Sequence, residues 1–321
     1  MVRMGVEDFI DDSLLQDLPK EIELVRIPAD LQGEIEVEFW LSCLSSADSR
    51  RLWPHLKGVK VVQAHSAGVD SLKKIVPSTA TLCDARGVHN IPTAEWAVTA
   101  VLAMQKNLPF FFGLQQRADW KAKDEAEQTF LLAPGSTPNP HIPHLIDEIA
   151  DKTILIVGYG AIGEAIEARL SAFGPRFLRV ARSPKPGVEP VSNLDQLLPH
   201  ADIVILITPL TSETHHLIDA GRLAKLKPGA LLVNAGRGAV VDTDALLAAL
   251  HAKKLRAAMD VTDPEPLPPD HPLWKAPNLL ITPHVATDSP TYLKRVLKFV
   301  SQQATRYVQG EPLQNIVTGE Y

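Results

Sequence analysis

Three side chains late in the sequence are of types that can work together on a carbonyl. Arg237 stands in the run NAGRG, Glu265 in DPEPLP and His284 in ITPHVA. An arginine on a glycine-flanked turn can present a planar fork to carboxylate and carbonyl oxygens. A histidine titrates near neutral pH and so can give or take a proton. A glutamate in reach would hydrogen-bond the imidazole, raise its pKa and favour its protonated form. Reduction of a 2-oxo acid needs such a fixed cation and such a proton donor, together with a hydride source. Taken singly, each residue has an ordinary reading: a surface loop cation, a solvated acid among prolines, a capping or core histidine.

A hydride source is implied upstream. Residues 153–173 read TILIVGYGAIGEAIEARLSAF, an apolar strand, then Gly158, Gly160 and Gly163 in GxGxxG spacing, then a helix. The first glycine permits a tight turn, the second lets backbone approach a pyrophosphate, and the third allows close helix packing. In such folds ligands sit beyond the carboxyl ends of strands, where Arg237, Glu265 and His284 also fall, so the three read as a catalytic set. The next strand-like run, RFLRVARSPKPG, carries Arg182 where an acid would accept the ribose hydroxyls of NAD. Arg182, Ser183 and Lys185 form a cationic and hydroxyl cluster suited to a 2′-phosphate, which favours NADP (NADPH), with NAD as the alternative.

These residues require elements to position them. Apolar runs recur as EIELVRI, EVEFWLS, GVKVVQAHS, KTILIVGYG, RFLRVAR, ADIVILITP, GALLVNAGR, LRAAMDV and NLLITPH, alternating with helix-like segments that include 93–107. Several are continuously apolar, as strands buried on both faces of a parallel sheet would be, and the chain is α/β. Its 321 residues suggest two domains, and 45% hydrophobic with 22% charged residues is an ordinary globular composition. A net charge of −6 provides no general cationic field for nucleic acid or anionic lipid. Cys43 and Cys83 have no metal-ligand spacing, so no metal site and a reducing compartment are expected. With no signal peptide and no membrane-spanning run, the expectation is a soluble, cytoplasmic protein.

From Leu226 onward the run LKPGALLVNAGRGAVVDTDALLAALHAKKLRAAMDVTDPEPLPPDHPLWKAPNLLITPHVA strongly resembles the D-isomer-specific 2-hydroxyacid dehydrogenase family. HSAGVD at 65–70 and TAEWAV at 93–98 match earlier landmarks of that family, so the resemblance covers most of the chain. It implies two doubly wound parallel-sheet lobes with a cleft between them: a Rossmann NAD(P)-binding domain at 105–288, and a flavodoxin-like substrate domain at 1–104 plus 289–321. It assigns catalysis to Arg237, Glu265 and His284. It implies cofactor contacts at Gly158, Gly160, Ala161, Ile162 and Gly163, at Arg182 and Ser183, and at Thr208, Pro209 and Leu210. Ala235, Gly236 and Thr93 would lie by the nicotinamide, and Asp260 would accept from its carboxamide. Ser66, Ala67, Gly68 and Val69 would form a turn whose backbone N–H groups cradle the substrate carboxylate. The implied activity is reduction of a small 2-oxo acid to the D-2-hydroxy acid, glyoxylate or hydroxypyruvate first, by a homodimer.

The sequence departs from the family pattern at Arg182, and again at 121–150, which looks like an insertion serving as a dimer arm or lid. Proline, 26 of 321 residues, divides between these features. Pro209, Pro264, Pro266, Pro268, Pro269 and Pro283 flank strand ends, whereas Pro134, Pro138, Pro140 and Pro143 belong to the insertion. Two alternatives stay open on sequence alone: a phosphite-type dehydrogenase, which keeps the Arg/Glu/His set, and a non-catalytic, dinucleotide-sensing corepressor-like protein. His215 and His216 read as structural, and His65 is an undecided cleft candidate.

Overall fold

The runs that are apolar without alternation become strands covered on both faces. In the computed structural model, which describes residues 1–43, 45–124, 146–183 and 185–319, the chain divides into two units, Met1–His89 with Asp288–Tyr321, and Asn90–Thr287. Residues 125–145, most of the apparent insertion, lie outside the described residues.

The unit Asn90–Thr287 is built on seven parallel strands: β8 (Thr153–Val157), β9 (Arg176–Ala181), β10 (Glu189–Pro190), β11 (Ile203–Leu206), β12 (Ala230–Asn234), β13 (Leu255–Met259) and β14 (Leu279–Ile281). Their order is β10-β9-β8-β11-β12-β13-β14. Side chains alternate between two cores: Ile154, Ile156, Ile203 and Ile205 enter one, and Leu155, Val157, Val204 and Leu206 the other. Each such buried side chain stabilises the unit by about 1.5–3 kcal/mol relative to exposure. The strand order reverses between β8 and β11, which opens a crevice at their carboxyl ends.

The other unit has five parallel strands: β1 (Val2–Glu7), β2 (Ile22–Ile27), β4 (Phe39–Ser42), β6 (Val61–Ala64) and β7 (Thr81–Cys83), in the order β2-β1-β4-β6-β7. This is the flavodoxin-like arrangement. The run EVEFWLS is two elements, since β3 (Ile35–Glu36) pairs with β5 (Leu56–Lys57) and only Phe39–Ser42 joins the larger sheet. The last helix, Tyr292–Val308, buries Val296, Leu297, Val300 and Ala304 against Met4, Val6, Phe39 and Leu41.

The units meet in sequence at 89/90 and 287/288, whereas the expected boundaries lay at 104/105 and 288/289. The helix Asn90–Gln105 accounts for the larger difference. Its small face, Ala94, Ala97 and Ala100 with Val101 and Met104, packs with Ile154, Ile156, Ile166 and Leu170 of the seven-stranded unit. Its end is tied down by Arg256 of β13, which donates from Nη1 to Met104 O (3.1 Å) and from Nη2 to Gln105 Oε1 (2.7 Å). Among the described residues no single helix is long and apolar enough to cross a membrane, and no group of three or more His, Cys, Asp or Glu could hold a metal ion.

Candidate active site

Local sterics give each of the three motif glycines its own reason. Gly158, directly after β8, has φ +100°, and a Cβ there would lie 2.6 Å from Ile207 O. Only glycine fits. At Gly160 a Cβ would meet no described atom within 4 Å, so the backbone faces open space that a pyrophosphate could enter. At Gly163 a Cβ would press to 3.2 Å on Gly158 O and Ile156 Cγ2, which is the close helix packing expected of the third glycine. Ala161 and Ile162 open the helix Ala161–Leu170, whose first amides carry the dipole's positive end. Across the crevice Thr208 follows β11, with Pro209 and Leu210 after it. Thr208 Oγ1 and Thr93 Oγ1 are buried, and among the described residues neither has a hydrogen-bond partner. An unsatisfied buried hydroxyl costs ~1–3 kcal/mol, so each suits a polar ligand, and Thr208 lies against the backbone of Gly158 and Gly236, along the crevice a dinucleotide would follow.

Arg182 and Ser183 are exposed after β9, at the position where an acid would meet an adenosine ribose. Lys185 is not a spare cation: its Nζ lies 3.2 Å from Glu164 Oε1, in the first turn of the helix. A 2′-phosphate would have to compete with that carboxylate, although an exposed pair of this kind is worth only ~0–1 kcal/mol. Arg179, two residues before the end of β9, makes a bidentate pair with Glu167 that raises its pKa and lowers that of the glutamate.

Arg237 sits on a turn clamped by its neighbours. A Cβ on Gly236 would lie 2.6 Å from Thr208 O, and one on Gly238 only 1.9 Å from Thr262 O. Asn234, buried at the end of β12, accepts from Gly236 N (3.0 Å) and donates to Arg237 O (2.9 Å). Arg237 Nη1 donates to Gly236 O (2.8 Å), which aims the fork, and Ala235 is half-buried beside it.

His284 Nδ1 and Glu265 Oε1 are 2.5 Å apart. An ionised carboxylate only accepts, so Nδ1 carries the proton and Nε2 is left for chemistry. The Glu265 hydrogen bond is the main cause that raises the His284 pKa, and burial and Arg237 oppose it. The same bond holds Glu265 below the usual carboxylate range, and Arg237 lowers it further. Both side chains keep about two-fifths of their surface, 41% and 39%, which leaves the pair open to a small substrate.

Asp260 does more than its sequence position suggested. It is buried, its Oδ1 accepts from Thr282 Oγ1 (2.5 Å) and Val285 N (2.9 Å), and its Oδ2 accepts from Ala286 N (2.9 Å). Its carbonyl accepts from His284 N (2.7 Å). His284 has φ +55°, a left-handed conformation that costs about 1–2 kcal/mol for a non-glycine residue. The aspartate's grip on residues 282–286 opposes that strain and fixes the imidazole. The sequence marks Thr282 and Asn234 as functional only by their places inside the TPH and NAGRG runs.

In the other unit Ser66, Ala67, Gly68 and Val69 turn directly after β6. Ser66 donates its hydroxyl to Gly68 O (2.7 Å) and so closes the turn from within. His65 Nδ1 is 2.8 Å from Ser42 O, and burial lowers its pKa, which suits a neutral structural histidine. His215 and His216 stack with ring centroids 4.0 Å apart.

The family model for the NAD-binding domain of D-isomer specific 2-hydroxyacid dehydrogenases matches residues 99–286, more than half of the chain. The chain belongs to this family. Family membership makes it an NAD(P)-dependent oxidoreductase with a nicotinamide dinucleotide as cofactor, in a family whose members act on small 2-oxo and 2-hydroxy acids. A glyoxylate reductase of Thermofilum pendens is 33% identical over 266 residues, 79% of this chain and 73% of that protein. A D-isomer specific 2-hydroxyacid dehydrogenase family protein from Aeromonas salmonicida superposes with a TM-score of 0.80 at 27% identity, covering 99% of this chain and 98% of that one. A family dehydrogenase from Xanthobacter autotrophicus, solved with NADPH and MES, gives 0.78 at 25% identity, with 99% and 98% covered.

Proposed function

We propose that this enzyme reduces a small 2-oxo acid, glyoxylate or hydroxypyruvate first, with NADPH preferred over NADH. The product is the 2-hydroxy acid, of D configuration where C2 is a stereocentre. The reading rests above all on the 2.5 Å bond between His284 and Glu265 within electrostatic reach of Arg237. The Thermofilum pendens relative supports the substrate, and the Xanthobacter autotrophicus complex supports the cofactor. The nicotinamide, when bound, supplies the hydride that C2 of the acid receives. His284 Nε2 gives a proton to the carbonyl oxygen, and Glu265 keeps the imidazole charged until it does so. Arg237 holds the carboxylate and polarises the carbonyl, with the backbone of Ser66, Ala67, Gly68 and Val69 as further carboxylate donors. Thr93, Ala235 and Gly236 would face the nicotinamide, and Asp260, which anchors the His284 turn, would accept from the carboxamide. Gly158, Gly160, Ala161, Ile162 and Gly163 would hold the pyrophosphate, and Thr208, Pro209 and Leu210 the adenosine side. A cytoplasmic homodimer belongs to the same reading, supported by two unpaired cysteines and by exposed Leu108 and Phe112 on the helix Leu108–Gln116.

Oxidation of NADPH and NADH against glyoxylate, hydroxypyruvate, pyruvate and phenylpyruvate tests the proposal, since turnover with none of the four acids would end it. Arg182→Asp puts the ribose-binding acid where the cation now stands. It should lower kcat/KM with NADPH by roughly 10-fold or more, because a charge-assisted contact to phosphate is replaced by repulsion. Unchanged preference for NADPH would remove Arg182 from the site.

Glu265→Gln is expected to move the alkaline limb of reduction to lower pH. Glu265 raises the His284 pKa, so the imidazolium form persists to higher pH and is lost as pH rises through the raised value. Without the carboxylate that loss begins nearer the ordinary histidine range, and kcat/KM at the alkaline end should fall by roughly 10-fold or more. A pH profile with its alkaline limb in place would show that Glu265 does not tune the acid.

A further inference from the structure

The turn that carries His284 is held from a second direction, by a tryptophan outside the catalytic set. Trp96, half-buried on the helix Asn90–Gln105, donates from Nε1 to Thr282 Oγ1 at 3.0 Å. Thr282 Oγ1 in turn lies 2.5 Å from Asp260 Oδ1. The direction of this chain is fixed by chemistry. An indole N–H can only donate and an ionised carboxylate can only accept, so the one hydroxyl proton of Thr282 must go to Asp260. Trp96 fills the hydroxyl's acceptor side, and donation into a hydroxyl strengthens its onward donation. We propose that Trp96 is a positioning residue for the proton-transfer step, which through Thr282 and Asp260 holds residues 282–286 in the geometry that presents His284.

The helix gives this tie its stiffness. Ala94, Ala97, Ala100 and Val101 bury it in the core beside β8, so the indole is anchored to the same body as the glycine turn. Asp260 faces three donors, two of them amides of the turn itself. The third, Thr282 Oγ1, is the only one reached from the helix through Trp96. Loss of the indole N–H leaves the Thr282 oxygen short of a donor in a half-buried place, and it weakens the grip on a turn whose histidine is already at positive φ. The expected result is a turn that opens more often, with the substrate contacts intact.

The inference rests on the proton-donor reading of His284, and its test separates the two. Trp96→Phe should lower kcat roughly 3- to 10-fold, the loss expected for one neutral hydrogen bond. KM for the oxo acid should stay within about twofold, because no member of this chain binds it. Amide exchange at Val285 and Ala286, read without turnover, should quicken by a similar roughly 3- to 10-fold factor. Thr282→Val, which breaks the chain at its middle, should do at least as much, and Thr282→Ser, which keeps the hydroxyl, should recover most of the loss. In the double variant Trp96→Phe with Thr282→Val, the effect should match Thr282→Val alone, because residues acting through one another are not additive. Unchanged exchange at Val285 and Ala286 in Trp96→Phe would overturn the inference, as would effects that multiply in the double variant. If Trp96→Phe does not fold, equal kcat and equal exchange in Thr282→Val and Thr282→Ser overturn it. An active His284→Ala would refute the proton-donor reading and leave the exchange test standing.

Discussion

Replacing His284 by alanine should lower kcat for reduction by about 10²–10⁴-fold, with KM for the oxo acid changed little. The size follows from what the site offers the carbonyl oxygen. Nδ1 is occupied by Glu265, so Nε2 is the nitrogen that can deliver the proton, and the Glu265 bond keeps it charged. Arg237 acts on His284 as a charge, and a guanidinium is no proton donor in the neutral range, so it cannot take over the transfer. His284→Asn is the control for the backbone, since asparagine tolerates the left-handed conformation found at φ +55° yet has no ionisable proton. Equal loss in the alanine and asparagine variants, with both folded, assigns the effect to the missing acid. Retention of wild-type kcat in either would remove His284 from the chemistry.

The catalytic set was legible because its members lie in short runs whose chemistry is local: a glycine-flanked arginine, a glutamate between prolines, a histidine after a strand. The glycine turn was legible for the same reason, since each glycine answers a steric demand made within a few residues or by the adjoining strand. What the sequence hid depends on contacts distant in the chain. Asp260 reads as a strand-end acid, but its carboxylate also accepts from residues 282, 285 and 286. Lys185 reads as a phosphate ligand until Glu164 is seen beside it. The helix Asn90–Gln105 is rich in alanine on the face it buries, which marks it as internal without saying which unit it joins. Strand β1, VRMGVE, escaped because charge and glycine dilute its apolar residues. It is the sheet pairing on both sides, to β2 and β4, that makes it a strand, and Glu7 at its end is buried with its pKa pushed up to about 7 by desolvation.

Removal of the Arg237 side chain should act mainly on substrate affinity and move the pH profile in the opposite sense to Glu265→Gln. Two charge-assisted hydrogen bonds to an oxo acid are worth about 1.5–3 kcal/mol each, so Arg237→Ala should lower kcat/KM by roughly 10²–10⁴-fold, mostly through KM. Arg237→Lys keeps the charge but not the planar fork and should fall between alanine and wild type. The backbone should survive the change, because the turn is held by Asn234 and by the close approach of Gly236 and Gly238 to neighbouring carbonyls, none of which needs the guanidinium. The pH readout then separates a charge that only binds from one that also tunes the acid. Arg237 lowers the His284 pKa, so its removal lets the imidazolium persist to higher pH and shifts the alkaline limb upward, while loss of Glu265 shifts it downward. Opposite displacements in the two single variants, measured on the same oxo acid, would place Arg237, Glu265 and His284 in one electrostatic unit. A displacement in Glu265→Gln alone would leave Arg237 as a binding residue outside it, and an unaltered kcat/KM in Arg237→Ala would exclude it from the site.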